Sequence, residues 1–104
     1  MKKLKVILEL SAKNDIRDSY AWGCEHFGIQ GANKWIRELR NAIDSLSTYP
    51  NRGPLALEND EFVEEIRQLI VGRYRVLYTV SSESVHILHV RGAFIETLPE
   101  SPNS

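Results

Sequence analysis

The first apolar pattern in the chain has a period of two. Apolar residues occupy every second position from Leu4 to Leu10, and Lys5 and Glu9 stand at positions between them. This alternation is typical of a β-strand with one buried face. We therefore predict a first strand at the start of the chain, with its leucine and valine side chains in the core.

Two helical patterns follow this strand. Ser11 stands where a helix N-cap is favoured, and a helix is expected from Ala12 to about Phe27, because Gly28 is a natural helix terminator. The residues of this helix expected to face the sheet are Ala12, Ile16, Tyr20 and Phe27. A second amphipathic helix is indicated by apolar residues at helical spacing, namely Ala32, Trp35, Ile36, Leu39, Ala42, Ile43 and Leu46. The two helices are expected to form a hairpin.

The second half of the chain has the pattern of a β-sheet. Residues 50–54 are rich in turn formers, and residues 58–61 are polar and acidic, so we expect a surface loop there. Three runs rich in β-formers follow, at 63–71, 74–80 and 85–90. The short polar breaks between them suit an antiparallel meander.

These elements predict one α+β domain over residues 1–104 with the order β-α-α-β-β-β. A helical hairpin packs on one face of a mainly antiparallel four-stranded sheet, and the first strand joins one edge of the meander. Residues 96–104 contain Pro99 and Pro102 among small polar residues, so we expect a flexible tail there.

Composition narrows the functional classes. The formal net charge is -1, so no global basic field draws in nucleic acid, and any RNA contact must be local. The basic start is followed by an apolar stretch that Lys5 and Glu9 interrupt, so we expect neither an export signal nor a membrane span. The single Cys24 is compatible with a reducing cytoplasm, which is the expected location.

The run from Ile66 to Val80, IRQLIVGRYRVLYTV, resembles the signature of RelE/ParE-type toxins. In that family an arginine-bearing strand leads through a glycine turn into a Tyr-Arg-Val-hydrophobic-Tyr strand. The opening strand and helix start, the loop from Leu46 to Pro54 and the last strand from Val85 to Arg91 agree with the resemblance, which covers about residues 4–92. It implies a toxin, neutralised by a cognate antitoxin, that attacks either messenger RNA on the ribosome or DNA gyrase.

The choice between these targets depends on proton-transfer groups. Cleavage of RNA needs a base, cations for the phosphorane and an acid. Arg75 and Arg91 match basic positions of the family and could hold a phosphate. Ribonuclease relatives commonly carry lysines near Gln68, or a histidine or tyrosine where this chain has Ala93 and Phe94. The missing groups favour binding over catalysis.

Two histidines remain as candidates for proton transfer, because the unperturbed histidine pKa lies near neutrality. His89 is a candidate catalytic residue together with the arginines, although neither it nor His86 falls on the family position. Strict alternation would place His89 on the same face as Ile87 and Arg91. A half-exposed strand histidine bonded to a neighbour is the more common situation.

The candidate residues for binding the target or the antitoxin are Arg67, Arg73, Arg75, Arg91 and Trp22. Arginines on adjacent strands can bind an anion or an acidic antitoxin segment through bidentate contacts. They can equally be surface residues paired with nearby glutamates, and this alternative is favoured for Arg73. Trp22 lies off the predicted apolar stripe and is either a partner-binding aromatic or a residue that packs between the helices.

The sequence thus favours a ParE-like toxin that inhibits DNA gyrase by binding. The alternatives are a RelE-like ribosome-dependent ribonuclease and a decayed toxin that retains only antitoxin binding. No metal-ligand spacing or glycine-rich phosphate loop is present, so no metal or cofactor is expected. The expected partners are a cognate antitoxin and either gyrase or the ribosome with its mRNA, and a homodimer or a toxin–antitoxin hetero-oligomer is possible.

Overall fold

The computed structural model describes residues 3–92 and contains the predicted α+β architecture. Strand β1 is Lys5–Leu8, the helical region α1 is Leu10–Ser45, and a short 3-10 helix is Leu57–Glu61. The remaining strands are β2 at Arg67–Val71, β3 at Tyr74–Val80 and β4 at Ser84–Gly92. The predicted tail, residues 96–104, lies outside the described residues.

The sheet has the strand order β1-β4-β3-β2. The pairs β2–β3 and β3–β4 are antiparallel, whereas β1 pairs with β4 in parallel. The first strand therefore joins one edge of the meander, as predicted. The parallel direction is possible because the helices and two further strands separate β1 from β4 in the chain, and a parallel neighbour cannot be reached through a tight turn.

The helical region is a hairpin with a break at Gly28. The backbone of this glycine has φ 81° and ψ 164°, which lie outside the helical range and are accessible to glycine because it lacks Cβ. The Tyr20 hydroxyl donates to Asn33 Oδ1 at 2.6 Å. In an unbroken helix these two residues would be about 20 Å apart along the axis. The two arms, residues 10–27 and 29–45, therefore fold back on each other.

The main core lies between this hairpin and one face of the sheet. The predicted stripe of the second arm is confirmed, since Ala32, Leu39, Ile43 and Leu46 are buried and Trp35, Ile36 and Ala42 are partly buried. The strands contribute Leu69, Val71, Val76, Tyr78, Val85, Ile87 and Val90. None of the helical segments within residues 3–92 combines the length and apolar character needed to cross a membrane.

Two details of the first helical arm differ from the predictions. The N-cap is Glu9 and not Ser11, because the helix begins at Leu10 and the Ser11 hydroxyl instead donates to the Leu88 carbonyl at 2.6 Å. Phe27 was expected to face the sheet but is exposed. It precedes the break at Gly28, so it lies near the turn of the hairpin, where the sheet does not cover its side chain.

The second face of the sheet is partly covered by the loop before β2. Ala56, Ile66 and Leu77 form a small separate core there, against which Leu88 packs. The loop also forms an isolated bridge between Leu55 and Arg67. The β-structure of this region begins at Arg67 and not at residue 63, because residues 57–61 form the 3-10 helix and carry the chain onto the sheet.

Candidate functional site

The candidate site is a cluster of charged side chains on the second face of the sheet. Arg75 lies on β3 and pairs with Arg91 on β4 and with Ile70 on β2. Directly paired residues on neighbouring strands place their side chains on the same face. The structure thus brings together two of the arginines that the sequence singled out, and Arg75 is only 6% exposed.

A carboxylate joins the two arginines. Glu58, on the 3-10 helix, is 9% exposed and accepts two hydrogen bonds from Arg75, with Nη1–Oε1 at 3.0 Å and Nη2–Oε2 at 2.7 Å. Arg91 Nη1 donates to the same Oε2 at 3.0 Å. The bidentate geometry matches the planar guanidinium to the carboxylate and is the strongest form of this ion pair. An internal anion therefore occupies the predicted anion-binding patch.

The arginines keep Glu58 ionised. Hydrogen bonds from Arg75 lower the pKa of its carboxyl from 4.5 to about 2, against the opposing effect of burial, and the charge of Arg91 acts in the same direction. At neutral pH the described side chains of Glu58, Arg75 and Arg91 carry one negative and two positive charges. Gln68 Oε1 accepts a further bond from Arg75 Nη1 at 3.0 Å, which fixes the orientation of that guanidinium.

Glu58 and the contact made by Gln68 are the parts of the cluster that the sequence analysis missed. Residues 58–61 were expected to be an exposed acidic loop, and that prediction is wrong for Glu58, which is buried. Burying an arginine without a counter-charge is costly. The position of Arg75 on a central strand could therefore have predicted an acidic partner. The sequence does not indicate which acidic residue folds back to it.

The other candidate arginines lie elsewhere. Arg67 donates to the Gly53 carbonyl at 2.7 Å and to Glu65 at 3.2 Å, so it ties the loop to the start of β2. Arg73 lies exposed in the turn between β2 and β3. Neither residue is among the hydrogen-bond partners of the Glu58 carboxylate, which are Arg75 and Arg91.

Trp22 and Arg73 line a common cavity of about 310 Å³ between the two helical arms and the β2–β3 turn. The other aromatic residues in its wall are Phe27, Trp35 and Tyr74. Trp22 is 36% exposed and stacks on His26 with ring centroids 4.0 Å apart. Two residues that the sequence predicts for partner binding thus meet at one aromatic surface, which is separate from the Glu58 cluster.

The two strand histidines are each bound to a carboxylate of the helical start. His86 Nδ1 lies 2.7 Å from Glu9 Oε2, and His89 Nδ1 lies 3.0 Å from Asp15 Oδ2. For His89 this is the common situation of a strand histidine bonded to a neighbour. Within residues 3–92 no group of three side chains is arranged to hold a metal ion.

The predicted alternation along β4 is wrong between Ile87 and His89. Leu77 pairs with His89 and Tyr78 pairs with Ile87, so Leu88 is an extra residue in a β-bulge. The bulge shifts the phase of the strand. Ile87 and Val90 both reach the main core, whereas Arg91 joins the opposite face, so Ile87 and Arg91 do not share a face and His89 cannot lie on the same face as both of them.

Comparison with solved structures shows which known fold this architecture has. A solved structure described as a chromosomal ParDE TA system from P. aeruginosa superposes with a TM-score of 0.72, at 16% sequence identity, over 86% of this chain and 96% of that one. At this identity the likeness shows a shared fold. It confirms the helical hairpin packed on a four-stranded, mainly antiparallel sheet.

Sequence comparison then identifies the family. The model of the ParE toxin of the type II toxin–antitoxin system parDE matches residues 6–93. Toxin ParE1 of Mycobacterium tuberculosis, from strains H37Rv and CDC 1551, is 32% identical over 76 residues, covering 67% of this chain and 74% of that protein. The chain belongs to the ParE toxin family of type II toxin–antitoxin systems.

Proposed function

We propose that this ParE-type toxin inhibits DNA gyrase in the cytoplasm by binding to it, and that a cognate antitoxin neutralises it. The family match supports the toxin and its pairing with an antitoxin. The related P. aeruginosa structure is itself described as a toxin–antitoxin system, in agreement with that pairing. The choice of inhibition by binding over cleavage of RNA is supported by the contacts among Glu58, Arg75 and Arg91.

The observation that carries this choice is the bidentate pair between Arg75 and Glu58. Arg75 matches the arginine expected to hold the RNA phosphate in ribonuclease relatives, but here a buried carboxylate already takes up both of its terminal nitrogens. An arginine is also a poor general base, because its pKa lies above about 12. Cleavage would therefore need both a new anion on Arg75 and a proton-transfer group near it.

For the antitoxin, we propose the aromatic cavity lined by Trp22 and Arg73 as a contact surface. Large aromatic side chains and arginine supply much of the binding energy at protein interfaces. Trp22 is partly exposed and Phe27 is largely exposed, so an apolar side chain of a partner can reach both rings.

The gyrase proposal is tested with purified toxin in two parallel assays. One assay measures supercoiling and protein-linked cleaved DNA in the presence of gyrase and relaxed plasmid. The other maps mRNA 3′ ends after addition of the toxin to translating ribosomes. We expect loss of supercoiling or accumulation of cleaved DNA and an unchanged mRNA pattern. Codon-spaced mRNA cuts with unaffected gyrase would contradict the proposal, and inactivity in both assays would favour a decayed toxin.

The antitoxin surface is tested by neutralisation with the protein encoded beside the toxin gene. We expect Trp22→Ala to require at least about tenfold more of that protein for neutralisation, in line with the loss of a binding hot spot. Leu10→Ala is the matched control, because Leu10 is exposed and does not line the cavity. Equal neutralisation of both variants would place the antitoxin elsewhere on the toxin.

A further inference from the structure

The outer edge of β1 has no neighbouring strand within residues 3–92. β1 stands at the end of the strand order and pairs with β4 on its other side. The backbone N–H groups of Lys5 and Glu9 donate towards β4, with bonds of 3.1 and 3.0 Å. Because successive residues of a strand direct their backbone groups to opposite sides, those of Val6 and Leu8 point to the outer edge. Such an edge can accept a further strand.

An apolar groove of about 280 Å³ lies beside this edge, between β1 and the two helical arms. Its apolar wall consists of Val6, Leu8, Ile16, Ile36, Leu39 and Ile43. Arg40 and Asp44 of the second arm also line the groove, and both side chains are exposed. They are four positions apart, so they lie on the same side of the helix. The groove thus carries one positive and one negative charge beside the open edge of β1.

The charges along β1 are self-complementary. Residues 5–9 read KVILE, with a basic residue at the start and an acidic residue at the end. When two such strands run antiparallel about a centre at Ile7, Lys5 of each copy lies opposite Glu9 of the other. Val6 then lies opposite Leu8, so the outward backbone donors and acceptors of the two copies meet in hydrogen-bonded pairs.

The neighbouring registers are blocked by the chain itself. Shifting the pairing towards the start of the strand would use the N–H of Leu4, which is already bonded to the Ser47 carbonyl at 2.9 Å. Shifting it the other way would use Leu10, which belongs to the helix. The register centred on Ile7 is therefore the one in which the open backbone groups and the charges agree.

We propose that a second copy of this chain pairs with the outer edge of β1 through a two-fold axis at Ile7, which joins the two sheets into one. In such an isologous interface each residue meets its complement in the other copy. The axis also reverses the direction of the second arm, so Arg40 of each copy approaches Asp44 of the other. No residue of the groove lines the aromatic cavity, so the inference is independent of the gyrase and antitoxin proposals.

Sedimentation equilibrium of the purified protein gives the first test. We expect the wild type to form a dimer and Lys5→Glu to dimerise at least about tenfold more weakly, because it places like charges opposite each other at both ends of the strand pair. Lys34→Glu is the matched control, since it makes the same charge change at an exposed position outside the groove. A wild type that stays monomeric at about 100 μM would overturn the proposal, as would equal dimerisation of the two variants.

Mixing of oppositely charged variants tests the register. Glu9→Lys should also dimerise weakly, whereas an equimolar mixture with Lys5→Glu restores opposite charges at both ends and should form a heterodimer at least about tenfold more tightly than either variant associates alone. Glu9 also lies 2.7 Å from His86, so circular dichroism checks that its variant is folded. Arg40→Glu mixed with Asp44→Lys is a second pair without that contact. Failure of both mixtures to associate would refute the two-fold axis.

Amide hydrogen exchange shows what covers the edge. Dilution of the wild type through its dimer dissociation constant should accelerate exchange at Val6 and Leu8 several-fold and leave Ile7, whose N–H points towards β4, unchanged. Exchange at Val6 and Leu8 that does not depend on concentration would contradict a second copy. Protection of these two amides only after addition of the protein encoded beside the toxin gene would assign the edge to the antitoxin, and would equally refute the proposal.

Discussion

At the scale of single residues, Glu58 makes the stability of the protein depend on pH. Its folded-state pKa is about 2, compared with an ordinary value of 4.5. Because the pKa is lowered on folding, the stabilisation is fully present above about pH 4.5 and is lost as the pH falls towards 2. The shift corresponds to at most about 3–4 kcal/mol.

We therefore predict that the free energy of unfolding of the wild type falls between about pH 5 and pH 2 more steeply than that of Glu58→Gln. Urea titrations followed by tryptophan fluorescence at a series of pH values measure both curves. Glu65→Gln controls for the loss of one exposed carboxylate near an arginine. If the wild type and Glu58→Gln lost the same free energy over this range, Glu58 would not be the group responsible.

The proximity of Arg75 and Arg91 was predictable from the sequence, whereas their contact with the Glu58 carboxylate was not. Adjacent antiparallel strands made proximity of Arg75 and Arg91 predictable once the turn was assigned. Glu58 is 17 residues away from Arg75 in sequence, on a loop whose path depends on packing of Ala56 against Ile66 and Leu77. Local periodicity carries no information about such a contact.

At the scale of secondary structure, Asp15 joins the first helical arm to β4. Its Oδ2 accepts a hydrogen bond from the Val90 backbone N–H at 3.0 Å and lies 3.0 Å from His89 Nδ1. The contact lies close to the bulge at Leu88, where the strand has one residue more than its partner. A carboxylate there satisfies a backbone donor beside the interruption of the ladder.

We predict that Asp15→Ala destabilises the protein by about 1–3 kcal/mol, because a partly buried backbone donor loses its partner. Thermal or urea unfolding measures the loss, and faster hydrogen exchange at the Val90 amide locates it. Asp18→Ala is the matched control, since Asp18 lies on the same arm and forms an exposed pair with Arg17. Equal stabilities of the two variants would show that the contact between Asp15 and Val90 contributes nothing.

Helices and strands followed their sequence patterns where one periodicity extended along the whole element. Strand β3 has the predicted bounds, 74–80, and the apolar stripe of the second helical arm is buried as expected. The predictions failed where a single residue changes the phase or the direction of the chain. The bulge at Leu88 reverses the alternation of β4, and Phe27 is exposed beside the break at Gly28.

At the scale of the whole molecule, the order of elements determined the sheet and the side on which the helices pack. A hairpin of helices between the first strand and a meander can bury its apolar stripe only against the sheet. What the order could not determine is how the loop before β2 covers the second face. That loop carries Glu58, so the feature that sets the chemistry of the site is also the least predictable part of the fold.

The single domain predicted from the sequence implies that the hairpin and the sheet unfold together. Both tryptophans lie on the helical hairpin, and Trp35 packs on Tyr74 of β3 with ring centroids 4.8 Å apart, so fluorescence reports on contact between the two halves. We predict that fluorescence and far-ultraviolet circular dichroism give the same urea midpoint. Val76→Ala creates a cavity in the buried centre of β3 and should therefore lower both midpoints equally. If the substitution moved only one of the two transitions, the hairpin and the sheet would be separate folding units.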